Sequence, residues 1–93
     1  MSDMTISRFL DQSGRLKQWP TKTADKQLAL EYLASKLTTG VSYSEKEINI
    51  LLKEWHTFSD WALLRRELYE KRFVIRNLDG SKYRLLEPGN ATQ

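Results

Sequence analysis

The residues best able to do chemistry lie in the run SDWALLRRELYEKRF, residues 59–73, which carries adjacent arginines at 65 and 66 among Trp61, Leu64 and Leu68. A guanidinium is a fixed cation with a planar fork of donors, suited to the two acceptors of a guanine edge or to a phosphate. At about 100° per residue in a helix, Trp61, Leu64 and Leu68 share one face. Ala62, Arg66, Tyr69 and Glu70 share the other, with Leu63 at its margin and Arg65 at the flank. Arg66 therefore points outward, where it reads a base. Arg65 points sideways, where phosphate is the natural contact. Further along, Arg76, Lys82 and Arg84 supply cations on a β-prone segment. The candidate nucleic-acid-binding set is Arg65, Arg66, Tyr69, Arg76, Lys82 and Arg84. Glu70 opposes this reading unless Arg66, one turn before it, neutralises it. The competing reading pairs the arginines with Glu67, Glu70 or Glu31 and uses Leu63 and Tyr69 as a protein interface.

Charge distribution points the same way. The 93 residues carry a net charge of +3 and a pI of about 9.3. Residues 1–64 hold 8 Lys/Arg and 8 Asp/Glu, whereas residues 65–93 hold 7 and 4. The excess positive charge is thus confined to the last third, which favours an anionic partner.

Other chemistry is weakly represented. With no cysteine, thiol nucleophiles, disulfides and cysteine–zinc sites are excluded. The single histidine, His56, cannot complete the common structural zinc sites. Ser59 and Asp60 follow it in a turn, where helix capping accounts for both, and His56 reads as a helix C-terminal residue that favours the helix dipole when protonated. The four glycines are isolated, so no phosphate-binding loop is present. Trp19, Trp55 and Trp61 are candidates for stacking on unpaired bases, but Trp55 and Trp61 complete apolar stripes and belong to the core. The expectation is a protein that is not an enzyme and uses no cofactor. No apolar run approaches the ~20 residues of a membrane span, and MSDMTISRFLDQ lacks a secretory pattern, so a cytoplasmic location is expected.

The elements that must position these residues read as follows. Residues 8–22 form a packed arm with Phe9, Leu10, Leu16 and Trp19 as anchors, a turn at Ser13-Gly14, and a short strand; Pro20 biases Trp19 to extended backbone. Residues 24–37 make a helix, capped by Thr23, whose stripe is Leu30, Leu33, Ala34 and Leu37. Gly40 can supply the positive φ that follows a helix end, and Val41-Ser42-Tyr43 is β-prone. Ser44 and Glu47 form a capping box for a helix over 45–55 with stripe Ile48, Leu51, Leu52 and Trp55. After a break at 56–59, Ser59 or Asp60 caps a helix over 60–71. Residues 73–77 and 81–86 then read as strands joined through Leu78-Asp79-Gly80. The fold class is α+β, mainly α: a winged helix-turn-helix of three helices plus a C-terminal hairpin wing, with the packed arm before it. It forms one domain, ordered over about 8–86 and frayed at 1–5 and 87–93.

The run Gly14-Arg15-Leu16-Lys17-Gln18, the segment YSEKEIN, Asp60, Ala62 and Leu64-Arg65-Arg66-Glu67-Leu68, and the closing GSKYRL resemble the bacterial DUF2087 family over about residues 8–86. The resemblance implies association with transcriptional regulators and supplies no catalytic residue or ligand. Family members often carry glycine after the third helix, where this chain has Arg72; either the helix ends differently here, or Arg72 is strained. The basic cluster Arg15, Lys17 and Lys22 either extends the groove beside the third helix or stays solvated on the arm. The expected partner is double-stranded DNA. The alternative is a homodimer or a partner regulator protein bound through the same fold, without direct nucleic-acid contact.

Overall fold

The structure is a computed structural model, and it describes residues 6–86. The expectation of frayed ends at 1–5 and 87–93 concerns chain outside the described residues. Within them the order is α1 (Thr23–Ala34), β1 (Ser42–Ser44), α2 (Glu45–Glu54), α3 (Trp61–Glu70), β2 (Val74–Arg76) and β3 (Lys82–Leu85). The three strands form one antiparallel sheet in the order β1-β3-β2. The architecture is α+β, with α2 packed on α3, and α3 in turn against α1 and β2.

The core follows from the apolar stripes. Leu30, Leu33, Ile48, Leu52, Leu64 and Leu68 are fully buried, joined by Leu16 from the arm and by Val74 from β2. Leu51, Trp55 and Trp61 are partly buried and pack against that core. Each such side chain contributes about 1.5–3 kcal/mol on removal from water.

The two ends of α1 depart from expectation. Lys22, not Thr23, is the N-cap; its backbone is extended and its side chain makes no capping bond. The Lys22 carbonyl accepts from the Lys26 N–H at 2.9 Å, so the first helical bond starts one residue early. At the other end the helix stops at Ala34 rather than 37. The Ser35 hydroxyl donates to the Tyr32 carbonyl, the acceptor an α-helical Lys36 N–H would use. Lys36 and Leu37 bond instead to Leu33 and Ala34, each at 3.0 Å, a tightening of the last turn that competition by serine explains. Leu37 still reaches the core.

α2 begins with the expected capping box. The Ser44 hydroxyl accepts from the Glu47 N–H at 3.1 Å, and Glu47 accepts from the Ser44 N–H at 2.8 Å. The Ser44 N–H, ahead of the opposing effect of desolvation, holds the Glu47 carboxyl below its ordinary value. The box's contribution is therefore present above the ordinary carboxylate range and is lost as pH falls through the lowered value.

The arm is fastened by backbone bonds to the connection between α2 and α3. Leu16 donates to the Trp55 carbonyl at 2.8 Å and accepts from the Thr57 N–H at 2.9 Å. The arm makes isolated bridges, Leu10 to Leu16 and Leu16 to His56, in place of a full strand. Its turn needs Gly14, which has φ +82° and would place a Cβ 3.2 Å from the Tyr32 hydroxyl, the group that donates to the Gly14 carbonyl. Gly14→Ala is expected to cost about 1–2 kcal/mol. Thermal denaturation should show a fall in melting temperature of roughly 5–15 °C.

His56 does not behave as a helix-terminal cation. It is buried, its Nδ1 lies in hydrogen-bond contact with the Leu52 carbonyl, and its Nε2 accepts from the Asp60 N–H at 2.8 Å. With Nε2 accepting, Nδ1–H is the donor to the Leu52 carbonyl. The ring also meets Phe58 edge-on, with centroids 4.7 Å apart. His56 thus ties the last turn of α2 to the residue that caps α3. Asp60 is that cap, accepting from the Leu63 N–H at 3.4 Å, and Ser59 before it takes φ 56°.

Candidate nucleic-acid interface

On α3 the expected division of faces is observed. Leu64 and Leu68 are fully buried and Trp61 partly so, while Ala62, Arg66, Tyr69 and Glu70 are exposed. Among the described residues, Arg66 makes no ion pair or side-chain hydrogen bond. The contact with Glu70 that would neutralise both is therefore not formed.

Arg65 is held differently. Its Nη1 donates to the Asn49 side-chain oxygen and lies 3.9 Å from Glu45. With its side chain 21% exposed, it spans the gap between α3 and α2 and fixes one helix on the other. Glu45, rather than Glu67, Glu70 or Glu31, is its acidic partner.

Strand register decides where the hairpin cations go. Arg76 pairs with Tyr83 and Val74 with Leu85, while Ile75 pairs with Arg84. Across the other edge Tyr43 pairs with Tyr83, Ser42 with Arg84 and Ser44 with Lys82. Paired residues project from the same side of a sheet. Val74, Tyr83, Leu85 and Arg76 therefore face the helices, whereas Ser42, Ile75, Lys82 and Arg84 face outward. Arg76, at the end of β2, lies over the Tyr69 ring with its guanidinium carbon 4.3 Å from the centroid. The Tyr83 hydroxyl, with Tyr69 adding to its effect, raises the pKa of Arg76 further, so its charge is permanent.

The structure thus brings together Arg65, Arg66, Tyr69 and Arg76, which with Ala62 and Tyr83 line a cavity of about 260 Å³ between α3 and the sheet. Lys82 and Arg84 line a second depression of about 150 Å³ with Ser42 and Ile75, which Arg76 and Tyr83 also border. Lys82 is also close enough to Glu47 to help lower that carboxyl, which offsets part of its charge. Arg15, Lys17 and Lys22 line neither space, and Arg15 is paired with Asp11 at 3.5 Å.

Sequence reasoning missed Asn49 and Glu45 as the holders of Arg65, and Tyr83 as a wall of the groove. The two-residue alternation of 81–86 was the available signal for Tyr83. No local signal marks Asn49. Each tryptophan carries a lysine ammonium over one face: Lys26 over Trp19 at 6.0 Å, Lys36 over Trp55 and Lys53 over Trp61 at 4.2 Å each. Since all three also pack on the core, they offer no free platform for an unpaired base. Among the described residues no group of three or more His, Cys, Asp or Glu gathers to hold a metal ion, and no helix is long and apolar enough to cross a membrane.

No curated protein and no solved structure matches the chain. A family model does: DUF2087, described as an uncharacterized protein conserved in bacteria, over residues 15–85. The match opens just past Gly14, inside the expected span of 8–86. It runs through the arm's bridge at Leu16, both helices that Arg65 joins, and the hairpin to Leu85, so the whole groove falls within the matched unit. The chain belongs to the bacterial DUF2087 family.

Proposed function

We propose that this protein is a winged helix-turn-helix module that binds duplex DNA, with α3 in the major groove and the β2–β3 hairpin as the wing beside it. The observation that carries the reading is the convergence of Arg66, Tyr69 and Arg76 on one groove, with neither arginine neutralised by an acid among the described residues. The element order and the strand order β1-β3-β2 support it, as does the short connection between α2 and α3. Arg66 reads base edges, and Arg76, braced on Tyr69, holds phosphate. Arg65 sets the angle between the two helices instead of touching phosphate. Lys82 and Arg84, on the outer sheet face, contribute long-range attraction. Such a module acts in transcription, in the cytoplasm where bacterial DNA is found.

A second reading, docking to a partner regulator or a second copy of the chain, draws on Leu78. This leucine is fully exposed at the hairpin tip, beside Asp79, whose carboxyl is held low chiefly by the Ser81 hydroxyl and N–H. A fixed negative charge there repels phosphate and suits a protein surface.

Fluorescence anisotropy of a labelled mixed-sequence duplex at several salt concentrations separates the two. The DNA reading expects binding at low salt that weakens with a log–log slope of about −2 to −4, one unit per phosphate neutralised. Absence of binding at low salt overturns it and leaves the docking reading.

A further inference from the structure

We infer that Arg72 is an additional phosphate-contacting residue of this interface, kept in a strained backbone conformation for that purpose; the inference rests on the DNA-binding reading. Arg72 follows the Lys71 C-cap of α3 and has φ 67°. Among the described residues only Ser59 shares that left-handed conformation without being glycine, and these two residues bracket α3. A side chain with a Cβ is costly there, and glycine occupies the position at no steric cost. Strain of this kind persists where the surroundings or the function require it.

No internal role accounts for the arginine. Arg72 is exposed, and among the described residues its guanidinium makes no ion pair, hydrogen bond or ring contact. Its N–H bonds to the Tyr69 carbonyl at 3.1 Å, a bond that glycine would make equally well. What the arginine adds is position. It lines a cavity of about 320 Å³ together with Tyr69, Glu70, Ile75, Arg76 and Leu86. That cavity shares Tyr69 and Arg76 with the space holding Arg66. Arg66, Arg76 and Arg72 therefore follow one another along the junction of α3 and β2, with the Arg76 guanidinium in the middle. In the second cavity two guanidinium groups outnumber the one carboxylate, Glu70, so its balance stays positive. A run of cations along an open groove fits the repeating charge of a phosphodiester backbone.

The test compares the intact protein with Arg72→Gly and Arg72→Lys by duplex anisotropy across a salt series and by thermal denaturation. Loss of one phosphate contact predicts a salt slope shallower by about 0.9 and binding about eightfold weaker near 0.1 M salt for Arg72→Gly. Its melting temperature should rise by about 2–5 °C as strain is released. Arg72→Lys should keep the slope and gain no stability. If the intact protein binds duplex but Arg72→Gly binds with the same slope, the contact is refuted while the DNA-binding reading stands. If the intact protein does not bind, both fall. A lower melting temperature for Arg72→Gly overturns the strain argument.

Discussion

Arg66→Ala/Arg76→Ala should weaken duplex DNA binding about sixtyfold near 0.1 M salt, as the loss of two phosphate-type contacts requires. The salt slope should become shallower by about 1.8. A bidentate base contact at Arg66 would add about 1–3 kcal/mol of discrimination and make the loss larger on a preferred sequence. The fold should survive. Arg66 is exposed with no partner among the described residues, so its removal stays within about 0.5 kcal/mol. Arg76 forfeits its contact over Tyr69, worth about 0.5–1 kcal/mol at an exposed site. Arg65→Ala provides the contrast. It removes the bond to Asn49 and the contact with Glu45, so it should cost about 1–2 kcal/mol of stability and leave the salt slope unchanged. Anisotropy and thermal denaturation of both variants check the two halves. A slope altered by Arg65→Ala as strongly as by the double substitution would return Arg65 to the DNA-contacting set.

His56→Ala should be the most destabilising single change at the junction of α2 and α3, costing about 3–5 kcal/mol. The substitution removes the bond to the Leu52 carbonyl and strips the Asp60 N–H of its acceptor. It also leaves a cavity beside Phe58 and under the arm bridge at Leu16. Because Asp60 caps α3, the damage reaches the N-terminal turn of the helix that carries Arg66. A small domain has about 5–15 kcal/mol of stability in all, so a melting temperature lower by more than about 10 °C is expected. His56→Gln places an amide near the Nε2 position and should recover part of the loss. A melt within 1–2 °C of the intact protein for His56→Ala would show that the junction does not depend on this ring.

The sequence announces some of this and conceals the rest for identifiable reasons. The capping box at Ser44 and Glu47, the stripe Ile48–Leu52 and the turn before Gly80 are local, and the structure follows them. The outward Arg66 and inward Leu64 follow from helical periodicity alone. Thr23 reads as a cap by residue type, yet Lys22, with extended backbone, holds the N-cap position. His56 looks like a helix-end cation until the arm and Asp60 enclose it. Arg65 looks like a flank cation until Asn49, sixteen residues earlier, meets it across the packing of α2 on α3. The hairpin cations divide between two sheet faces because register, which tertiary pairing sets, places Arg76 opposite Tyr83 and Arg84 opposite Ile75. The third strand, Ser42–Ser44, is three residues long and pairs with a segment forty residues on. Of the two alternatives left open for residue 72 after the third helix, the structure shows the strained one, with Arg72 at φ 67°.

Heteronuclear NMR of isotope-labelled protein titrated with a short mixed-sequence duplex tests the account most directly. The side-chain signals of Arg66 and Arg76 and the backbone signals of Ala62 to Tyr69 should shift together at low salt and return as salt is added. Signals of Arg8 and Arg15 on the arm should stay in place. Shifts confined to the arm or to the outer sheet face around Lys82 and Arg84, or no shifts at all, would contradict it.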